Sequence, residues 1–112
     1  MRATELMREK LLRTIMLRWI LEDAKEIKQT LPRGEMWTKG LLQPLHEKLT
    51  NEMVEIKRAL NSNAFFIVEE EWRPLDVYIK YKENGYEREV VFMMAMLEAE
   101  AQGRLEHMAK LL

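Results

Sequence analysis

The feature that most constrains this sequence is its long opening segment. From Ala3 to Thr30, apolar residues recur at spacings of three and four, and no Pro or Gly interrupts them. This periodicity predicts one α-helix, which Leu31-Pro32-Arg33-Gly34 ends. Such a helix is about 42 Å long at 1.5 Å per residue, whereas a compact domain of this size is only about 34 Å across. We therefore expect the helix to protrude from its own domain.

The apolar surface of this helix is unusually wide. Two adjacent apolar strips together cover more than half of its circumference between residues 15 and 21. A small sheet and two further helices would struggle to cover that surface, so we predict a homodimer with helix 1 at the interface. The alternative is a break near residues 19–22 that folds the helix back into a monomer. The helix-1 residues predicted to form the interface are Leu12, Ile15, Met16, Trp19 and Ile20.

A second helix is predicted after a short connector. The connector runs from Glu35 to Gly40, and the helix starts between Gly40 and Gln43, which leaves Pro44 in the first turn. Leucine, methionine and isoleucine then follow at helical spacing until the Asn-Ser-Asn sequence at residues 61–63. The second helix should therefore bury one face against the core.

The sequence pattern in the middle of the chain predicts β-strands. Residues 64–72 are β-branched and aromatic, and residues 75–82 alternate between apolar and polar. Asn84-Gly85 predicts a tight hairpin because both central residues of such a turn need positive φ. Residues 86–92 should then pair back as a third strand, although a helix starting directly at Glu87 is the alternative. A last helix covers residues 93–112, which gives an α+β fold of order ααβββα in a single domain spanning residues 1–112.

Composition argues against several classes of protein. The chain has no Cys, so it can form neither disulfides nor thiolate metal sites, and a reducing cytoplasmic location is expected. Its net charge is −1, which argues against a strongly basic nucleic-acid surface. No segment approaches the roughly 20 apolar residues of a membrane span, and no signal peptide is recognisable. Membrane partners are therefore not expected.

No catalytic or cofactor-binding constellation is evident. Neither His46 nor His107 lies three or four residues from a second good ligand, and Ser62 lacks a G-x-S-x-G context. The four glycines are too scattered for a phosphate-binding loop. We therefore predict no catalytic residues, no metal, no cofactor and no enzymatic activity.

The remaining candidate residues suggest protein contacts. Trp37 falls in the connector, Trp72 and Arg73 lie at a strand junction, and Met93 belongs to a methionine cluster. Tryptophan and arginine are common interface anchors. The alternative is that Trp72 covers the end of the core, and the methionines are expected to fill the core more often than to form an adaptable surface. We predict a non-enzymatic interaction module that binds itself and another protein. The alternative is a winged-helix regulator of nucleic acid, whose second helix would enter the major groove.

Overall fold

The structure is a computed structural model that describes residues 2–111. Helix α1 spans Ala3–Thr30, and the short helix α2 spans Gly34–Trp37. A π-helical segment at Thr38–Leu42 leads into α3, Gln43–Ser62. The strands and the last helix follow as β1 Phe65–Trp72, β2 Asp76–Glu83, β3 Tyr86–Met93 and α4 Met94–Lys110. The predicted α+β class and the order ααβββα are confirmed, with α2, the π segment and α3 following one another as the second helical stretch.

Helix α1 is unbroken over 28 residues and sets the shape of the molecule. The radius of gyration is 16.0 Å, and the principal extents are 54 × 29 × 21 Å. A compact chain of this length would have a radius of gyration of about 13 Å. The helix therefore does extend beyond a compact body, and the alternative break near residues 19–22 does not occur.

The predicted connector at residues 35–40 is wrong, because this stretch is helical. The backbone at Trp37, Thr38 and Gln43 keeps right-handed helical angles, and the Gln43 N–H donates to the Thr38 carbonyl five residues earlier. We attribute this wider turn to Pro44, which has no N–H and whose ring would clash with the carbonyl four residues before it. Residues 34–62 therefore form one helical path that runs back along α1.

Gly34 allows the return path to approach α1 closely. A Cβ at this position would lie 2.2 Å from the Ile27 carbonyl oxygen and 2.7 Å from the Lys28 Cα. Only a residue without a side chain fits there. The sequence identified this glycine as a turn residue, and the structure adds that it is the contact point between the two helices.

The sheet is a three-stranded antiparallel meander of order β1-β2-β3. Asn84 and Gly85 both have positive φ, 53° and 82°, so the predicted hairpin is confirmed. Strand β3 pairs with β2 from Asp76↔Met93 to Glu83↔Tyr86, which excludes the alternative helix start at Glu87. On the covered face, Val77, Ile79 and Tyr81 are buried. The helices thus cover one face of the sheet, as predicted.

Helix α1 is the centre of the core. It packs against α3 and α4, and its buried side chains join those of β2 in one apolar cluster. Four of the residues predicted at a dimer interface are buried in this cluster, namely Leu12, Ile15, Met16 and Ile20. The chain's own helices and sheet cover them, so the prediction that these four side chains face a second copy is wrong. The wide apolar surface arises because α1 has neighbours on several sides.

Candidate interaction surface

The chain leaves apolar surface uncovered where α1 extends beyond the body. We call residues 21–48 the distal hairpin: the end of α1, the turn, α2, the π segment and the start of α3. No residue of α1 after Ile20 is buried. Leu21 is 58% exposed and Trp37 is 46% exposed. The other large apolar residues that the distal hairpin exposes are Leu31, Met36 and Leu41.

The charges of the distal hairpin are balanced and unpaired. Residues 21–48 carry five basic and five acidic residues. Among residues 2–111, every ion pair lies outside the distal hairpin, in the body formed by the rest of the chain. A surface with net charge zero and both signs available does not repel an identical surface. These charges can therefore pair between two copies.

A small cavity lies between the two helices of the distal hairpin. Its volume is about 180 Å³. The Thr38 side chain, which is 8% exposed, lines it, and the Thr38 hydroxyl has no hydrogen-bond partner. The other lining residues are Ile20, Leu21, Ala24, Lys28, Leu42, Gln43 and His46. Sequence reasoning missed Thr38 because its burial depends on the π segment packing against α1.

The body has a larger groove between α3 and α4, with α1 as its floor. Its volume is about 560 Å³. Leu49 and Glu52 of α3 and Gly103 and Arg104 of α4 line it, together with Arg13 of α1. Arg13 bonds Glu9 and Glu52, whereas Arg104 bonds Glu9 and Glu100. The two arginines and the glutamates that they contact are therefore already paired within the chain, whereas Lys48, which also lines the groove, is in no ion pair within residues 2–111.

Glu9 is the centre of that ionic network. Hydrogen bonds from Arg104 and then Arg13 outweigh the effect of burial and lower the pKa of Glu9 from 4.5 to about 2. The same contact with Glu9 raises the pKa of Arg104. A carboxylate that stays ionised between two guanidinium groups fixes α4 against α1. We assign it a structural role, not proton transfer.

The remaining predicted residues lie far apart in the fold. Trp19 is half-buried against the core beside α4. Trp72 donates from Nε1 to Glu70 at 2.9 Å and stacks under Arg18, whose guanidinium carbon is 5.2 Å from the ring centroid. Trp72 therefore covers the end of the core, in agreement with the alternative prediction for this residue.

Arg73 and Met93 lie at the sheet, away from the distal hairpin. Arg73 pairs with Asp76 and lies over the ring of Tyr78 at 5.5 Å. Met93 is half exposed at the end of β3, next to Met96. Of the nine predicted interaction residues, only Trp37 is on the distal hairpin. The structure therefore does not bring the predicted set together in one surface.

Residues 2–111 contain no cluster of three or more His, Cys, Asp or Glu side chains that could hold a metal ion. In the same part of the chain, no helix combines the length and the hydropathy that crossing a bilayer requires.

Fold and surface define a small α+β protein whose long first helix carries an exposed helical hairpin. Residues 2–112 match the YhjD protein family, and the chain belongs to that family. No curated protein matches the chain, and no solved structure matches it.

Proposed function

We propose that this protein is a non-enzymatic interaction module that forms a homodimer through the distal hairpin and presents the dimer to another protein. The observation that carries the proposal is the contrast between the two parts of the chain. Both parts expose large apolar side chains, but all nine ion pairs within residues 2–111 lie in the body, which also buries the apolar face of α1. The distal hairpin exposes five large apolar residues close together in sequence, and none of its charged side chains forms an ion pair within the part of the chain that the structure describes.

The size of the distal hairpin suits a dimer interface. A standard interface uses about 20–30 residues on each side, and the distal hairpin has 28. A twofold dimer uses the same surface on both copies, so that surface must be complementary to itself. A charge-balanced surface with exposed Leu, Met and Trp meets that requirement. The sequence predicted an interface in the middle of α1. The proposed interface lies instead at the end of α1 and on the helical path that follows it.

A pair of aspartate variants tests this proposal. Leu21→Asp places an unpaired charge on the distal hairpin, and we expect it to weaken the dimer at least about 30-fold, the equivalent of a 2 kcal/mol hot spot. Leu75→Asp is the matched control because Leu75 is also exposed but lies at the β1–β2 turn. Sedimentation equilibrium gives both dissociation constants. Equal effects of the two substitutions would refute the distal hairpin as the interface.

Nucleic-acid binding of winged-helix type remains the second hypothesis, and the charges of α3 count against it. Lys48, Lys57 and Arg58 are offset on the same helix by Glu47, Glu52 and Glu55. Phosphate contacts dominate nucleic-acid affinity, and such a helix offers few of them. We expect no binding to duplex DNA at about 150 mM salt. Binding to duplex DNA at that salt concentration, with an affinity that falls steeply as salt increases, would favour the nucleic-acid hypothesis over the dimeric interaction module.

A further inference from the structure

Strand β3 is an edge of the sheet whose second side is free. In the part of the chain that the structure describes, β2 is the one strand that neighbours it. Its pairing with β2 is continuous over all eight residues of the strand. The opposite edge, β1, is interrupted by a bulge between Ile67 and Glu69, and bulges hinder the addition of a further strand. Strand β3 is therefore the regular edge of this sheet.

Alternate residues of β3 direct their main-chain groups to the free side. The Met94 N–H donates to the carbonyl oxygen of Leu75, the residue opposite it, at 2.9 Å. Inward and outward positions alternate along an antiparallel ladder, so residues an odd number of positions before Met94 point their N–H and C=O groups away from β2. In β3 these outward residues are Glu87, Glu89, Val91 and Met93, all of them exposed. An extended polypeptide can pair with such a row of donors and acceptors.

The side chains of the outward residues lie on the open face of the sheet. Val90, which falls among them, pairs with the buried Ile79 and so lies on the face that the helices cover. Along the open face, two glutamates are followed by Val91 and Met93, each of which is half exposed. One half of the free edge is therefore acidic and the other half is apolar.

A depression beside the end of β3 extends the apolar half. Its volume is about 250 Å³. Val91 of the open face, Phe92 of the covered face and the exposed Met96 of α4 line it. Arg8 and Glu100 also line it and form an ion pair with each other. The free edge near Met93 therefore offers apolar surface on both sides of the strand.

Strand β2 shows which side chains suit the open face of β3. It places Lys82 and Lys80 opposite the two glutamates and Tyr78 opposite Val91. Opposite charges on cross-strand neighbours are stabilising, whereas like charges are destabilising. A strand added at the free edge should likewise be basic opposite the glutamates and apolar opposite Val91 and Met93.

A second copy of β3 does not meet this requirement. Residues that are opposite in an antiparallel pair share a face, so the two glutamates of one copy could face only the outward residues of the other. None of those residues is basic, and Arg88, the one basic residue of β3, lies on the covered face. The free edge therefore suits a different chain better than a second copy.

We propose that the free edge of β3 binds an extended segment of another protein as a fourth, antiparallel strand. From its N-terminus the segment has apolar side chains opposite Met93 and Val91, then basic side chains opposite the two glutamates, with one residue between successive positions. Antiparallel pairing is the more stable arrangement per residue, and it sets this direction. The inference rests on the part of the proposed function in which this protein binds another, and it is independent of the distal hairpin.

A synthetic peptide tests the contact with the whole protein. The probe is Thr-Val-Thr-Val-Thr-Lys-Thr-Lys-Thr with a fluorescent label, and its binding is followed by fluorescence anisotropy. We expect saturable binding with a dissociation constant below about 1 mM. The control peptide has glutamate in place of both lysines. It should bind at least about 10-fold more weakly, because like charges then face each other.

Three variants of the protein locate the bound peptide. Glu89→Lys should weaken the lysine peptide about 3- to 10-fold and strengthen the glutamate peptide by a similar factor. Glu71→Lys is the matched control, because it makes the same charge change in β1, the opposite edge strand, and should change neither affinity. Val91→Pro removes an N–H that points away from β2, so the pairing with β2 is kept. It should weaken the lysine peptide at least about 10-fold.

Amide hydrogen exchange of the unaltered protein gives a readout that general charge attraction does not produce. The N–H groups of Glu89 and Val91 face solvent in the free protein and should exchange fast. Saturation with the lysine peptide should slow their exchange at least about 10-fold. The N–H groups of Val90 and Phe92 already bond to β2, so their exchange should change little.

Each outcome decides the matter. Absence of binding at about 1 mM peptide, equal binding of the two peptides, or unchanged exchange at Glu89 and Val91 would overturn this inference. If Leu21→Asp still disrupts the dimer in that case, the homodimer stands without it. A dimer that Val91→Pro dissociates would place a second copy on the free edge and would also overturn it. A monomeric wild type that binds the lysine peptide with alternating protection would support the inference and refute the homodimer.

Discussion

Replacing Gly34 by alanine should open the contact between α1 and the returning helical path. The new Cβ would lie 2.2 Å from the Ile27 carbonyl oxygen and 2.7 Å from the Lys28 Cα. Both atoms are backbone, so no side chain can rotate away. Reaching an ordinary contact of 3.4 Å requires a separation of the helices by about 1 Å. Overpacking of this kind costs about 1–3 kcal/mol of unfolding free energy.

The matched control is Gly103→Ala in α4. A Cβ there meets no atom within 4 Å. Alanine is the better helix former, so we expect a gain of about 0.5–1 kcal/mol. The two alanine substitutions should therefore change stability in opposite directions. The assay is urea denaturation of both variants and the wild type at equal protein concentration, since dimerisation makes the midpoint depend on concentration.

The reasoning would be refuted if Gly34→Ala were as stable as Gly103→Ala. Such a result would mean that the start of α2 does not abut the last turns of α1. The two helices of the distal hairpin would then not be in close contact at Gly34. A thermal scan provides a second check, because 1 kcal/mol corresponds to about 4–8 °C in chains near this size.

Two further substitutions test the body of the protein. Glu9 has a pKa of about 2 in the folded chain against 4.5 ordinarily, so its stabilising effect is complete above pH 4.5 and is lost as the pH falls towards 2. Glu9→Gln should therefore be less stable at neutral pH, and its unfolding free energy should fall less between pH 4.5 and pH 2, as acid titration followed by circular dichroism would show. Leu12→Ala should cost about 2–5 kcal/mol because Leu12 is fully buried, whereas Leu21→Ala, at an exposed position, should change urea stability of the monomer by no more than about 0.5 kcal/mol. Similar losses in both leucine variants would contradict the assigned boundary between the core and the distal hairpin.

Local sequence signals predicted the fold well. Helix α1 has the predicted bounds, and the Asn84-Gly85 hairpin has the positive φ angles that its type requires. These features depend on a few consecutive residues, so a single sequence contains the information. The helical stretch from Gly34 to Gly40 was missed because Gly40 and Pro44 indicate the start of a helix and not its continuation. Only the wider turn of the π segment lets the helix continue through them.

The candidate interaction surface was harder to predict from the sequence than the fold, because it depends on how the helices and the sheet pack together. The sequence shows that the apolar surface on α1 is wide, but it does not show which neighbouring helices and strands cover that surface. In the fold, α3, α4 and the sheet cover Leu12 and Ile15, and they leave Leu21 exposed. The prediction of an uncovered interface thus failed for the middle of α1. Trp37 was identified as a candidate anchor, whereas Thr38 gave no signal in the sequence.

The molar mass of the unaltered protein in solution is the most direct test of the distal hairpin as a surface for a second copy. Sedimentation equilibrium should be run from about 1 µM to about 1 mM, a range that covers weak and moderate dimers. The chain has a mass of 13.5 kDa. We predict a mass that rises towards twice this value with concentration. A mass that stays at 13.5 kDa throughout would contradict the account.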